Sequence, residues 1–384
     1  MNQNNFRIVL IGTTASMTIQ FRQDFIKLLI SHNWQVYAFV CEYSEEQLEK
    51  LESLGAIPVT YKMSRGGLNP FADLYAMWQL KEKISKIQPQ MVFSYFAKPI
   101  VYGTLAAKMA KVPYIVGMLE GLGYAFTEQP EGQSFKTKLI KFVQVALYKI
   151  SLPKLDQIIF LNLDDPKDLL ETYHIKAKKV EILGGIGLNL NHYAYSQPII
   201  SPINFLFIGR LLKEKGIFDF IQAARIVKSQ YPNIKFTVLG SIDPHNQGAL
   251  SQVQLDALLN EKLFEYPGYV SNIQEWIHQS SVFVLPSYRE GVPRSTQEAM
   301  AIGRPVITTD VPGCRETVKE GVNGFLVPKW RPEILAEKMI CFIENPEKIN
   351  QMGQESHKIA LEQFDADKVN QKLCKLLGIE ISKS

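Results

Sequence analysis

Short apolar runs alternate with stretches of helical periodicity along most of the chain. In the first half, β-branched apolar runs predict five strands, at residues 7–11, 35–40, 91–95, 114–117 and 157–161. Apolar residues at helical spacing between the first two runs predict a connecting helix through Phe21, Phe25, Leu28 and Leu29. Strands that alternate with helices are typical of parallel sheets with helices on both faces.

The second half repeats this arrangement. Its apolar runs predict strands at 204–209, 234–240, 266–270, 281–287 and 305–309, with helices at 217–231 and 295–302. Residues 184–187 and 189–204, between the halves, show neither helical nor strand periodicity. We therefore predict an α/β protein with two doubly wound Rossmann-like domains, at 1–195 and 196–364. A terminal helix at 365–384 could cross back to the first domain. We expect the domains to face each other across a cleft, with ligands at the carboxyl ends of the strands.

Length and composition are those of a globular enzyme with more than one core. The chain has 384 residues, of which 46% are hydrophobic and 21% charged, and single cores stop growing below that length. The net charge of +4 is too small to indicate nucleic-acid binding. Four cysteines lie far apart without metal-ligand spacing, which favours reduced thiols in the cytosol. A membrane-spanning helix needs about 18 consecutive apolar residues, and no apolar run in the sequence is that long. If the protein acts at a membrane, we expect it to bind the membrane surface.

The first candidate site follows the predicted strand at 204–209. Gly209 and Arg210 end this strand, and Lys215 follows five residues after the arginine. A guanidinium and an ammonium group suit a diphosphate, because the first donates paired hydrogen bonds and the second is a compact charge. The alternative interpretation is a loop with two solvated cations.

The second candidate site opens a predicted helix after the strand at 281–287. Glu290 and Glu298 have seven residues between them, including a glycine-containing turn. Amides at a helix start attract phosphate oxygens, so the backbone of 293–296 could hold a diphosphate. Alternatively, Ser295 with Glu298 forms a capping box that needs no ligand, and Glu290 is an exposed loop carboxylate.

Further short motifs surround the two glutamates. They are Gly209-Arg210 with Lys215-Gly216, Pro286-Ser287, Glu-Ala-Met-Ala at 298–301, Gly-Arg-Pro-Val at 303–306 and Asn-Gly-Phe-Leu-Val at 323–327. In this order they resemble the donor domain of retaining GT-B glycosyltransferases of family four, whose hallmark is this glutamate pair. The resemblance implies that Arg210 and Lys215 bind the diphosphate of a nucleotide-sugar donor, expected to be a UDP-sugar. It also implies that Glu298 holds the ribose hydroxyls and that Glu290 contacts the donor sugar.

The predicted donor site extends beyond these residues. Its members are Gly12, Gly209, Arg210, Lys215, Gly240, Val270, Glu290, Gly291, Val292, Pro293, Ser295, Thr296 and Glu298. The catalytic candidates are Arg210, Lys215, Glu290 and Glu120.

Glu120 belongs to the motifs of the first half. These motifs are Ser-Arg-Gly-Gly-Leu-Asn-Pro at 64–70, Ala-Ala-Lys at 106–108, Val-Pro-Tyr at 112–114 and Glu-Gly-Leu-Gly at 120–123. They resemble bacterial galactosyl and N-acetylgalactosaminyl transferases that build lipid-linked glycans of capsule, O-antigen and N-glycan type. The acceptor this implies is a glycan on a polyprenyl diphosphate. Many family members carry a histidine near the reacting sugar, but His32 and His174 lie at unsuitable positions. We predict that Glu120 positions acceptor or donor instead, or caps the following turn.

The resemblance implies a transfer without an enzyme nucleophile, a metal or another cofactor. A retaining glycosidase uses two carboxylates about 5 Å apart, whereas eight helical steps would separate Glu290 and Glu298 by about 12 Å. Arg210, Lys215 and the helix amides would stabilise the leaving diphosphate, and the acceptor would attack from the same side. Alternatives are a sugar-nucleotide epimerase of the same architecture and a noncatalytic partner subunit. The sequence argues against a dehydrogenase, since no GxGxxG follows either opening strand.

A basic segment precedes the predicted strand at 157–161. Here Lys136, Lys138 and Lys141 alternate with apolar residues, a pattern that fits an amphipathic helix on an anionic bilayer. The same pattern fits an ordinary helix with its apolar face in the core. With Arg65 and Lys98, these lysines are the predicted acceptor and membrane contacts, which implies a cytoplasmic protein bound peripherally to the inner leaflet.

Overall fold

The computed structural model of the chain describes residues 6–64, 69–244, 246 and 248–381. These residues form two units. Unit 1 contains the chain up to Leu122, Ser134–Ile186 and the chain from Asp367 on, and unit 2 contains Gly123–Gln133 and Gly187–Ala366. Unit 2 thus begins at Gly187 instead of residue 196. It also includes an eleven-residue segment from the first half of the sequence, which periodicity did not indicate.

A seven-stranded parallel sheet forms the centre of unit 1. Its strands are β1 (Phe6–Ile11), β2 (Trp34–Val40), β3 (Ile57–Thr60), β4 (Met91–Tyr95), β5 (Tyr114–Leu119), β6 (Gln157–Phe160) and β7 (Val180–Ile182), in the order β3-β2-β1-β4-β5-β6-β7. The five strands predicted in this half are confirmed to within two residues. The two that were missed, β3 and β7, are the short edge strands. They are partly exposed and therefore lack a continuous apolar run.

Unit 2 is built on a six-stranded parallel sheet. Its strands are β8 (Asn204–Ile208), β9 (Lys235–Leu239), β10 (Glu265–Gly268), β11 (Val282–Leu285), β12 (Val306–Thr309) and β13 (Gly324–Val327), in the order β10-β9-β8-β11-β12-β13. The five predicted strands are again confirmed to within two residues, and the edge strand β13 was missed. In each sheet the strand order reverses once, between β1 and β4 and between β8 and β11.

Helices cover both sheets. They are α1 (Ala15–Ser31), α2 (Glu45–Ser53), α3 (Pro70–Ile87), α4 (Ala97–Met109), α5 (Phe135–Ser151), α6 (Asp164–Pro166), α7 (Ile217–Gln230), α8 (Gln252–Asn260), α9 (Ile273–His278), α10 (Arg294–Ile302), α11 (Pro332–Glu344), α12 (Glu347–Gln363) and α13 (Ala366–Leu376). Two doubly wound α/β units confirm the predicted fold class.

Parallel strands buried on both faces supply the core of each unit. Ile8–Ile11 in β1 and Phe205–Phe207 in β8 have no exposed surface, as expected for central strands between two helix layers. Gly240 brings the loop after β9 against the loop after β8. Its φ is +138°, and a Cβ atom there would lie 1.9 Å from the carbonyl oxygen of Gly209. Only glycine permits this approach, which positions the chain at the carboxyl end of β8.

Candidate functional site

The point where the strand order of unit 2 reverses is the natural place for a ligand. Loops after neighbouring strands diverge there and leave a crevice at the carboxyl ends of the strands. Gly209, Arg210 and Lys215 follow β8, while Ser287 and Glu290 follow β11, its neighbour in the sheet. The topology therefore brings together two motifs that are far apart in the sequence.

Lys215 and Glu290 make the central contact of this site. The Lys215 ammonium group pairs with the Glu290 carboxylate, and the Ser287 hydroxyl donates a 2.6 Å hydrogen bond to the same oxygen. The lysine and glutamate side chains are 20% and 12% exposed, so both remain accessible at the crevice. Gly216 allows the loop after β8 to approach the loop after β11, because a Cβ atom at this position would lie 2.0 Å from the Pro286 carbonyl oxygen. The partly buried Lys215 ammonium group lies beside a carboxylate at the crevice, where an anionic ligand can bind it.

The first turn of α10 lies in the same loop region. Pro293 is the residue before the helix, and it makes no side-chain capping hydrogen bond. Because Ser295 lies inside the helix, the interpretation of Ser295 with Glu298 as a capping box is wrong. The Thr296 hydroxyl is buried and has no hydrogen-bond partner among the described residues. The amides of Ser295 and Thr296 belong to the turn whose donors a helix leaves open, a setting that attracts anions.

Glu298 lies one turn further along α10 and is held in place by two donors. Its carboxylate accepts a 2.9 Å hydrogen bond from the Tyr193 hydroxyl and a 3.0 Å hydrogen bond from Nε of Arg294. The residue is 5% exposed. Burial, together with the neighbouring Glu298 charge, raises the pKa of Tyr193, so the phenol stays a donor. These two bonds fix the direction of the Glu298 carboxylate.

Tyr193 and Arg294 were not among the predicted site residues. Tyr193 comes from the segment that precedes β8, 105 residues before Glu298, so no local pattern connects the two. Arg294 lies in the predicted anion-binding turn, and its spacing of four residues from Glu298 is a signal for an ion pair on one helix face.

Arg210 occupies the rim of the site. Its guanidinium group pairs with Asp243 at 2.7 Å, and its side chain is 49% exposed. Lys213, three residues on, lies 3.5 Å from the Glu131 carboxylate, which belongs to the Gly123–Gln133 segment of unit 2. Exposed pairs of this kind contribute little to stability. The Arg210 side chain can therefore exchange its carboxylate for another anion at small cost.

The remaining predicted donor residues of unit 2 lie in the same set of loops. Gly291 and Val292 are buried in the turn before α10, and Val270 is half-buried after β10. Gly313 packs against this turn, since its Cβ atom would lie 2.3 Å from the carbonyl oxygen of Glu290. The backbone at Gly313 therefore restrains the turn that carries Glu290.

Gly12 lies at the corresponding reversal point of unit 1, after β1. Its carbonyl oxygen accepts a 2.6 Å hydrogen bond from the Tyr61 hydroxyl. A Cβ atom on Gly12 would lie 2.6 Å from the Tyr95 hydroxyl, so the Tyr95 side chain fills the space that any larger residue would need. Thr18 lies 3.0 Å from that hydroxyl, which completes a buried polar cluster below the loop.

Glu120 is a nearly buried carboxylate in an ion pair, not a carboxylate open to solvent. Its side chain is 9% exposed and pairs with Arg22, which is 2% exposed. Burial raises the pKa of Glu120, and the Arg22 charge opposes that rise. The Arg22 guanidinium group also lies 4.8 Å from the centre of the Tyr95 ring. The structure shows Glu120 in an ion pair and not as a cap of the following turn. Its contact with a substrate remains a prediction.

The predicted acceptor and membrane cations are in two different situations. Lys98 is 16% exposed and pairs with the buried Asp73 at 2.8 Å, and its contact with an acceptor stays a prediction. Lys136 and Lys138 are exposed on α5, and Lys141 is half-buried on the same helix. Arg65 lies outside the described residues.

Neither a metal site nor a membrane-spanning helix is found among the described residues. No group of three histidine, cysteine, aspartate or glutamate side chains there could hold a metal ion. No helix in the described ranges is both long and apolar enough to span a bilayer.

Comparison with known proteins identifies the class. Residues 200–359 match the family described as "Glycosyl transferases group 1", and residues 7–162 match the family "Glycosyl transferase 4-like". Together with the two parallel α/β units, these matches define a glycosyltransferase of the GT-B class. The chain belongs to the group 1 glycosyltransferases, with a first half of the 4-like type.

Several curated proteins and solved structures are similar over most of the chain. The N,N'-diacetylbacillosaminyl-diphospho-undecaprenol alpha-1,3-N-acetylgalactosaminyltransferase of Campylobacter jejuni is 29% identical, covering 96% of this chain and 98% of its own length. The UDP-Gal:alpha-D-GlcNAc-diphosphoundecaprenol alpha-1,3-galactosyltransferase of Escherichia coli is 25% identical over 66% of both chains. Anabaena Alr3699/HepE in complex with UDP has the same fold, with a TM-score of 0.74, 18% identity and coverage of 97% and 99%.

Proposed function

We propose that the chain transfers a hexose or an N-acetylhexosamine from a UDP-sugar to a saccharide carried on a polyprenyl diphosphate. One observation carries this proposal. Lys215, Glu290 and the open first turn of α10 converge at the carboxyl ends of β8 and β11. A cation and helix amides suit a pyrophosphate, and the neighbouring carboxylates suit sugar hydroxyls.

The proposed donor pose assigns one contact to each group. The diphosphate binds the Lys215 ammonium group and the amides of Ser295 and Thr296, and Arg210 reaches it from the rim. The ribose hydroxyls donate to Glu298, whose carboxylate Tyr193 and Arg294 hold in one direction. Uridine is the base we propose, because names of similar proteins specify UDP-Gal or a UDP complex.

Glu290 changes partner when the donor binds, in our proposal. In the structure its carboxylate accepts from Lys215 and Ser287. A diphosphate at Lys215 draws the ammonium group away, and Glu290 then accepts hydroxyl groups of the donor sugar. Ser287 keeps the carboxylate in position during this exchange.

The proposed chemistry retains the anomeric configuration and uses no metal. In this proposal Glu298 serves the ribose hydroxyls, held in that direction by Tyr193 and Arg294, and is not the second carboxylate of a double-displacement pair with Glu290. The acceptor hydroxyl attacks from the side of the departing diphosphate, and a diphosphate oxygen takes its proton. Lys215, Arg210 and the helix amides stabilise the charge that develops on the leaving group.

The acceptor is proposed from the names of similar proteins. Those of Campylobacter jejuni and Escherichia coli act on diphospho-undecaprenol-linked sugars, and a protein of Staphylococcus aureus, 26% identical, is named as a capsular polysaccharide glycosyltransferase. We place this chain in the same kind of surface-polysaccharide synthesis. The lipid of such an acceptor stays in the bilayer, so the protein works at the cytoplasmic membrane surface.

A transfer assay tests the proposal. The protein is incubated with a panel of radiolabelled UDP-sugars, with and without a lipid-linked monosaccharide acceptor, and the organic phase is counted. Label in the lipid fraction only when both substrates are present supports the proposal. Conversion of a UDP-sugar into its epimer without acceptor, or no transfer with any donor, would contradict it. Nuclear magnetic resonance of the product then reports the anomeric configuration.

A further inference from the structure

The outer face of α3 is apolar where solvent-facing helices are normally polar. Four large side chains there are exposed by half or more: Phe71 (84%), Leu74 (53%), Tyr75 (54%) and Trp78 (55%). They recur at the spacing i, i+3, i+4 and i+7, so they lie on one face of the first two turns. The opposite face is buried and consists of Asp73, Ala76, Leu80 and Ile84. We call the four exposed residues the aromatic stripe.

Helix α5 has a second exposed apolar row, accompanied by cations. Phe135 (83%), Leu139 (50%) and Phe142 (71%) are exposed at helical spacing. The helix contains four lysines and no acidic residue. Its buried face has other residues, among them Val145 and Tyr148, so the exposed row is additional to the packing face.

The fold puts both rows at the same end of unit 1. From β3 through β4 and β5 to β6 the chain moves in one direction across the sheet, so right-handed crossovers place α3, α4 and α5 on one face. Helices α3 and α5 both pack against α4. Each runs back from the carboxyl edge of the sheet towards the amino edge. The first turns of both helices, which carry the exposed rows, therefore lie near the carboxyl edge.

The composition of this surface selects its partner. Tryptophan and tyrosine favour the boundary between hydrocarbon and headgroups, and lysines are attracted to anionic headgroups. The one acidic residue in the first two turns of α3, Asp73, is buried and paired with Lys98.

We propose that α3 and α5 form one membrane-docking surface, with the aromatic stripe inserted at the headgroup boundary and the α5 lysines on anionic lipid. This inference rests on the proposed function, because a lipid-held acceptor requires the protein to reach the bilayer. It adds α3 to the basic helix that the sequence indicated. The aromatic stripe supplies apolar insertion, while α5 supplies most of the attraction to charge.

Vesicle sedimentation tests the surface. The protein is mixed with vesicles of phosphatidylcholine alone or of equal phosphatidylcholine and phosphatidylglycerol, and the bound fraction is measured. The variant Phe71→Ser/Trp78→Ser should weaken binding to the anionic vesicles at least about tenfold, because two inserted side chains are lost. The matched control Val253→Ser/Tyr269→Ser removes side chains that are 78% and 77% exposed on unit 2 and should bind like the parent. Equal loss in both variants, or none in either, would overturn the proposal.

Trp78 also reports its own environment. Anionic vesicles should shift the emission of the parent protein to shorter wavelength. Trp78→Phe should bind vesicles as well as the parent does but lose the change in emission, because the other three tryptophans lie outside the surface. A shift that persists unchanged in Trp78→Phe would place the inserted segment elsewhere.

Two further measurements separate this inference from its alternatives. UDP affinity and activity on a short-chain, water-soluble acceptor should be unchanged in Phe71→Ser/Trp78→Ser, while activity on the vesicle-held acceptor falls. A parent protein that binds vesicles but not UDP would refute the proposed function and leave the docking surface standing. If the parent is a dimer in sedimentation and the α3 variant a monomer, the surface is an interface between copies, and the proposal fails.

Discussion

The Lys215 ammonium group contacts the Glu290 carboxylate although the two residues are 75 positions apart in the sequence. The contact exists because β8 and β11 are neighbours at the reversal point of the sheet, so the loops after them share one crevice. Gly216 lets the first loop approach the second, since a Cβ atom there would collide with the Pro286 carbonyl oxygen. The fold thus places the Lys215–Glu290 ion pair in the crevice where a nucleotide is expected to bind.

Lys215 is predicted to supply a charge-assisted contact to the donor diphosphate. Lys215→Ala should weaken UDP binding by about 10- to 100-fold, as expected for loss of about 1.5–3 kcal/mol. Calorimetric titration measures the change. Lys358→Ala is the control, because Lys358 is an exposed lysine of unit 2 on α12. Equal UDP affinity in both variants would remove Lys215 from the site.

Glu298 is predicted to recognise the ribose hydroxyls. The parent protein should therefore bind UDP more tightly than 2′,3′-dideoxy-UDP, by about tenfold for one charge-assisted hydrogen bond. Glu298→Ala should bind both nucleotides with the same, weaker affinity, because the group that distinguishes them is gone. If the variant still discriminates between the two, another residue reads the ribose.

Arg304 is predicted to be structural, although it belongs to the motif that follows Glu298. It has no exposed surface, and it donates to the carbonyl oxygens of Ile277 and Ser196, both at 2.8 Å. A lysine ammonium group lacks the planar fork of donors that reaches both acceptors, so Arg304→Lys should lower the free energy of unfolding by about 3 kcal/mol. Urea denaturation measures this. The exposed Arg315→Lys should change stability by less than about 0.5 kcal/mol, and similar losses in both variants would contradict the role of Arg304.

Asp219 is predicted to make stability depend on pH in the acid range, up to about pH 6. Burial raises its pKa from 3.8 to about 6, against the opposing hydrogen bonds from Tyr288 and the Trp330 backbone. The folded protein therefore favours the neutral carboxyl group. Its stabilising contribution is fully present below the unfolded pKa and is lost as the pH rises through about 6.

Asp219→Asn removes this titration. The Tm of the variant relative to the parent should rise from about pH 4 to about pH 6 and then level off, because in that range the parent's Asp219 keeps its proton when folded and loses it when unfolded. Asp256→Asn, at an exposed position of α8, should follow the parent at every pH. A difference between parent and Asp219→Asn that stays constant with pH would contradict the assignment.

Continuous apolar runs explain what the sequence could predict. Central strands such as β1 and β8 are buried on both faces and therefore carry unbroken apolar segments. The short edge strands β3 and β7 have mixed exposure and were missed, because a pattern of that kind is also typical of loops. The edge strand β13 is mostly buried, but its apolar run after Gly324 is only three residues long.

Long-range partners explain what the sequence could not predict. Glu298 was found by its motif, but the Tyr193 hydroxyl that orients it arrives from a segment without periodicity. Glu120 was likewise recognised, whereas its ion pair with Arg22 forms only when folding brings the residue after β5 within reach of a side chain on α1. The assignment of Gly123–Gln133 to unit 2 has no local signal at all, since it depends on contacts with residues such as Lys213 and Lys329.

A crystal structure of the chain with UDP tests the central claim most directly. The account predicts the diphosphate within hydrogen-bond distance of the Lys215 ammonium group and the amides of Ser295 and Thr296, with the ribose hydroxyls on Glu298. The Lys215–Glu290 contact should then be broken. UDP bound away from the carboxyl ends of β8 and β11, or a Lys215–Glu290 pair that persists beside a bound nucleotide, would contradict it.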